Sequence, residues 1–187
     1  FSRNEVLEIS RLANPASSRA SICSDLTEMV KFYRKWIELQ RMSPSLDEKV
    51  WAEPRDRLLA RASDAASRMD RGIEILQADD VAWECFQVAN MAMLMQLAHR
   101  SRREIPKDLG EAETGEIDYL SRDFKWRPFQ LAFVLLLLDS LVNETSPHRD
   151  VVDILWFSTA GGKTEAYLGL AAFTLFHRRL LGNRDGM

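Results

Sequence analysis

The sequence predicts a mainly α-helical chain that turns, toward its end, into the opening strand, turn and helix of an α/β unit. Three observations carry this. Apolar residues step by three and four from about residue 24 to 103, which lines one face of successive helices. A polar stretch from Glu104 to Asp118 then brings Pro106, Gly110 and Gly115, a linker composition. After it comes an apolar run, Val151 to Trp156, then a small-residue turn and a second helical pattern from Glu165 to Leu181. The expected division is a helical N-terminal region over 1–118, ending in the linker, and the start of an α/β domain over 119–187. With 187 residues, 46% of them hydrophobic and 28% charged, the chain can build a sizeable core.

The elements follow in order. A turn cluster, Asn14-Pro15-Ala16-Ser17-Ser18, precedes the first strong pattern. Ser24 is the expected cap of a helix with Leu26, Met29, Val30, Tyr33, Trp36, Ile37 and Leu39 on its apolar face, ended by Ser43-Pro44. Ser45 and Glu48 have capping-box spacing. Pro54 starts or kinks a long helix whose inner face is Leu58, Leu59, Ala62, Ala66, Met69, Ile73 and Leu76. Asp79-Asp80 suits the first turn of the next, where carboxylates meet the positive end of the helix dipole. That helix carries Trp83, Phe86, Ala89, Asn90, Met93, Leu94 and Leu97, with Met91, Met93 and Met95 expected as core filling. Arg100, Arg102 and Arg103 then read as a solvated helix end. Pro128 opens a further helix toward Val142.

Several function classes are excluded. A net charge of −3 and a pI of about 5.7 give no global attraction to nucleic acid. Cys23 and Cys85 lie in no ligand or redox pattern and read as reduced, buried thiols of a cytoplasmic protein. His99, His148 and His177 show no metal-ligand spacing, and no nucleophile, base and orienting group can be assembled. The apolar run Leu131 to Leu138, broken by Asp139, is too short for a membrane span of about 20 residues.

The informative chemistry lies in the turn Phe157-Ser158-Thr159-Ala160-Gly161-Gly162-Lys163-Thr164. A strand, a small-residue turn ending in Gly-Lys-Thr and a helix are what a phosphate-binding P-loop (Walker A) needs. Backbone N–H groups of Ser158, Thr159, Ala160, Gly161 and Gly162 close on phosphate oxygens. Lys163 reaches the β/γ-phosphates, the Thr164 hydroxyl goes to Mg2+, and the helix N-terminus adds positive potential. Upstream, Trp126-Arg127-Pro128-Phe129-Gln130 pairs aromatics with an amide that donates and accepts at once.

These two segments resemble known helicases. Arg127-Pro128-Phe129-Gln130 is similar to the Arg-Pro-x-Gln element ahead of motif I in superfamily 2, which implies that Gln130 and Arg127 belong to an ATP site with Gln130 reading adenine. Trp126 to Phe133 together with Asp153 to Phe173 resembles the DISARM-type helicase of bacterial anti-phage defence. The tail Glu165-Ala166-Tyr167-Leu168-Gly169 makes the likeness far more specific than Gly-Lys-Thr alone. Ser158 stands where that family has proline, and Ala160 where it has glycine. The resemblance implies a RecA-like domain, ATP and Mg2+ as cofactors, DNA as a substrate, a partner subunit of the defence system, and ATP hydrolysis by the complete machine. No Asp-Glu-x-His motif follows Lys163, and the chain begins at Phe1 rather than a methionine. A piece of a longer polypeptide is therefore expected, one that holds nucleotide without turning it over. The alternatives are a helical protein-interaction module with a vestigial P-loop, or another P-loop NTPase.

Overall fold

The computed structural model describes residues 4–43, 48–104, 117–156 and 162–182. A 3-10 turn, Asn4–Leu7, leads into α1 (Ile9–Ala13), α2 (Arg19–Met42), α3 (Glu48–Ala78), α4 (Asp80–Glu104), α5 (Pro128–Val142) and α6 (Lys163–Leu180). The fold is mainly helical, as expected. Among the described residues there is no strand, only an isolated antiparallel bridge between Glu8 and Lys125. Its two bonds, Ile9 N–H to Phe124 O at 2.9 Å and Trp126 N–H to Leu7 O at 2.8 Å, tie the N-terminal turn to the segment that enters α5.

The helices share one apolar core. Ile22, Leu26 and Ile37 of α2, Leu76 of α3, Phe86 and Leu94 of α4, Leu131, Leu135 and Leu138 of α5, and Phe173 of α6 are all fully buried within it. Helix α5 lies on α3, and α6 lies on α4. The α3–α5 crossing is close because Gly72 leaves room for it: a β-carbon there would stand 2.1 Å from the Leu135 carbonyl oxygen. Arg19, at the start of α2, closes the α3–α4 junction. Its guanidinium donates to Leu76 O at 2.6 Å and Asp79 O at 2.9 Å, pairs with Asp80 at 2.6 Å, and lies over the Trp83 ring. The first of these bonds satisfies a carbonyl that the end of α3 leaves open.

The boundaries depart from expectation in identifiable ways. Ser18, not Ser24, caps α2, its hydroxyl accepting from Ser21 N–H at 3.3 Å. Buried Ile22 and Cys23 are already part of the helical face, so the helix must begin ahead of them. Of the two places expected for Pro54, the structure has it inside α3 and not at its start. Asp79 does cap α4, accepting from Ala82 N–H at 2.9 Å. Of the three methionines on α4, Met93 is buried and Met91 half-buried, but Met95 is exposed, since residues two apart on a helix cannot share a face. The Ser45–Glu48 capping box and the linker core at 105–116 fall outside the described residues.

The segment 151–156, expected as a central strand apolar on both faces, pairs with nothing among the described residues. A ladder needs a neighbouring strand, and none is there. The side chains still alternate with a period of two: Asp153 and Leu155 turn toward the helices, while Val152, Ile154 and Trp156 are 77–93% exposed. The inward side is clamped by a bidentate ion pair, Arg68 of α3 to Asp153 at 2.8 and 2.6 Å, with the Arg68 side chain 7% exposed. In α5, Asp139 interrupts the apolar run yet is buried, where it accepts from the Ser146 hydroxyl.

Gly72→Ala should destabilise the fold by about 1–3 kcal/mol, because the added methyl must push two helix backbones apart. Urea unfolding of the variant checks this. A midpoint equal to wild type would show that α3 and α5 can separate without cost.

Candidate functional site

The residues of the Gly-Lys-Thr turn that are described lie at the N-terminus of α6. Gly162 is its N-cap, with φ 81° and ψ 24° in the left-handed region, which favours glycine. A β-carbon there would also come within 2.7 Å of Gln130 Nε2. Lys163 and Thr164 form the first turn of α6, with Thr164 exposed. Ser158, Thr159, Ala160 and Gly161 lie outside the described residues.

Gln130 stands in the first turn of α5, buried, and each end of its amide is engaged. Its Oε1 accepts from Arg127 N–H at 2.7 Å, and its Nε2 donates to Gly162 O at 2.6 Å. The first bond closes a helix start, since Arg127 is the N-cap of α5 and Pro128 occupies the next position. The second spans 32 residues and holds the two helix N-termini side by side.

Trp126 fixes the entry to α5 from below. Its indole N–H donates to Asn90 Oδ1 of α4 at 2.7 Å in a buried bond, while Asn90 Nδ2 donates back to Phe86 O at 2.8 Å. The same indole lies on Gly169, where a β-carbon would meet Trp126 Cη2 at 3.0 Å. Close by on α6, Tyr167 meets Phe133 edge-on, with ring centroids 5.7 Å apart. The residues that follow Gly-Lys-Thr therefore seat α6 against α5 and against Trp126.

Above this junction opens a cavity of about 700 Å3. Lys163, Thr164 and Glu165 of α6 line it with Lys125, Arg127 and Gln130, and so do Gln96 and Arg100 of α4. Four of these are cations and one is a carboxylate, a balance that favours an anionic ligand beside a helix N-terminus. Arg100, expected as part of a solvated helix end, is 58% exposed and also reaches Glu165 at 3.3 Å. Neither Arg100 nor Glu165 has a role in the loop motif as read from sequence. The basic cluster is the available signal, but its facing partner depends on the α4–α6 packing. The side chains of Arg102 and Arg103 lie outside the described residues.

Burial pushes the Cys85 thiol up to about 11 and also raises Cys23, so neither is a thiolate at neutral pH. His177 is buried and stacked on Phe173, and burial lowers its pKa below the usual imidazole value. Among the described residues no cluster of three His, Cys, Asp or Glu could hold a metal ion. No helix among them is long and apolar enough to cross a membrane.

Asn90→Ala should cost about 1–3 kcal/mol by stranding the buried Trp126 indole N–H. The change should also shift Trp126 fluorescence, through the altered surroundings of the ring. Unchanged stability would mean that water replaces the amide at no penalty.

No protein-family model matches the chain. The chain is 34% identical over 186 residues to the DISARM protein DrmA of Bacillus paralicheniformis, a match that takes in 95% of this chain. It spans 16% of that protein's length. By sequence this chain is related to a DISARM protein.

Proposed function

We propose that this chain carries the nucleotide-binding end of an ATP-driven nucleic-acid helicase or translocase of a bacterial anti-phage system. The observation that carries the reading is the Gln130–Gly162 bond, which sets the Arg-Pro-x-Gln element against the Gly-Lys-Thr turn over one cation-lined cavity. Two elements far apart in sequence thus border a single space, as parts serving one ligand must.

The residues fit ATP with Mg2+. Lys163 lies in the first turn of α6, where its ammonium can meet phosphate, and the exposed Thr164 hydroxyl is available to Mg2+. Left-handed Gly162 presents backbone that no β-carbon crowds. An amide has two donors and an acceptor with two lone pairs. Gln130 therefore keeps one N–H and one lone pair after its two backbone bonds, the complement of an adenine edge. When bound, ATP supplies the cleavable phosphoanhydride and Mg2+ offsets its charge.

In this reading Val151 to Trp156 is the first strand of a RecA-like sheet that further polypeptide completes. DNA as substrate and a partner subunit of the defence system rest on the same relationship.

A second reading, a protein-interaction module, is favoured by one observation. An apolar groove of about 640 Å3 runs between α2, α3 and α5, lined by Phe32, Tyr33, Trp36, Phe129, Phe133 and Ile154. Covering that groove with polypeptide and filling the cation-lined cavity with nucleotide are compatible roles.

Lys163→Ala should weaken ATP binding at least tenfold, since a charge-assisted phosphate contact contributes about 1.5–3 kcal/mol. Gln130→Ala should weaken ATP more than GTP, because its remaining donor and acceptor match adenine. Titration calorimetry on the full chain reads both. Equal losses for the two nucleotides would leave Gln130 as a structural tie only.

A further inference from the structure

Arg100 belongs to α4 in the helical region, yet it lines the same cavity as Lys163 and Thr164. Its Nη1 stands 3.3 Å from Glu165 Oε1, where a well-made charge-assisted bond closes to about 2.7–2.9 Å. The Arg100 side chain is 58% exposed and that of Glu165 21%. The second carboxylate oxygen, Glu165 Oε2, is buried and has no hydrogen-bond partner among the described residues. Glu165 is held by position in the first turn of α6, where the helix dipole favours a carboxylate. It competes there for the same positive potential that a phosphate would use.

We propose that Arg100 is a phosphate-binding residue supplied by the helical region, held over the cavity by Glu165 and transferred to a nucleoside di- or triphosphate when one binds. The proposal rests on the nucleotide reading of the cavity. A guanidinium is a planar fork of five N–H donors that matches phosphate bidentately. Its contact with Glu165 is long and made to one oxygen, a poorer match than a bidentate phosphate contact. A polyphosphate brings several charges and the matching geometry, so it displaces Glu165. Cations on facing walls, from α4 and from α6, suit a chain of phosphates better than a single one. Occupancy of the cavity then pulls on α4, which also holds Trp126 through Asn90. The helical region thereby senses the nucleotide.

Calorimetric titration of ATP and AMP into the full chain tests this with four variants. Arg100→Ala should weaken ATP about tenfold and AMP less, and Arg100→Lys should retain part of the affinity. Glu165→Gln should strengthen ATP by about threefold, the scale of a surface ion pair released. Opposite signs for Arg100→Ala and Glu165→Gln are the signature, because a purely structural pair would weaken binding from either side. If the two lose affinity alike, the transfer is wrong. If Arg100→Ala binds ATP like wild type while Lys163→Ala has lost it, the nucleotide reading stands and the role of Arg100 falls. If Lys163→Ala leaves ATP binding unchanged, the nucleotide reading fails and this proposal fails with it.

Discussion

The side-chain amide of Gln130 closes two helix starts with one group. At its oxygen it takes up the Arg127 N–H that α5 leaves without an intrahelical partner, and at its nitrogen it grips the Gly162 carbonyl. Both bonds are made by a residue that is 5% exposed, where hydrogen bonds are costly to leave unmade. The consequence reaches beyond the local turns. Because Gly162 is the N-cap of α6, the direction in which α6 points its first turn follows from where α5 begins. The left-handed backbone at Gly162 is part of the same constraint, since any side chain there would strike the amide. Lys163 and Thr164 inherit their positions from this tie.

Two further polar contacts, each at least partly buried, fasten the pair to the rest of the molecule. Asn90 holds the Trp126 indole from α4, and Arg68 holds Asp153 from α3. Neither is a strong source of net stability. A buried ion pair returns little net energy after desolvation, but breaking one side of it costs about 3–5 kcal/mol. The value of such contacts is geometric. Apolar packing of α5 on α3 and α6 on α4 would tolerate small slides, whereas a bidentate guanidinium and a directed indole N–H accept one register. The first turn of α6 thus starts between helices held by directional bonds on both sides.

Much of this is legible in the sequence, and the exceptions are physical. Pro128 marks the start of α5, Asp79 the start of α4, and the 3.6-residue period marks the long helices, since these signals act within a turn or two of chain. The start of α2 is misplaced in the sequence reading because Ser18 falls in a turn cluster, and only the burial of Ile22 and Cys23 shows that the helix begins ahead of Ser24. The interest of Gln130 can be read from Arg-Pro-x-Gln, but its grip on Gly162 cannot, because that depends on two helices meeting. Arg100 reads as a solvated helix end for the same reason. The tail Tyr167 and Gly169 is recognisable as a pattern, and the structure supplies its cause in Phe133 and Trp126.

The segment 151–156 carries the last step. Its inward side is fixed by Arg68, while Val152, Ile154 and Trp156 face solvent. Covering three such side chains is worth about 1.5–3 kcal/mol each, and an unpaired strand edge is a template for another chain. The clamp at Asp153 decides which side chains point outward, because slipping by one residue would reverse every one of them. In our reading the ion pair is therefore less a source of stability than a register pin. It holds 151–156 in one register, so that Val152, Ile154 and Trp156 form a single apolar face on the outer side, open to whatever polypeptide covers it.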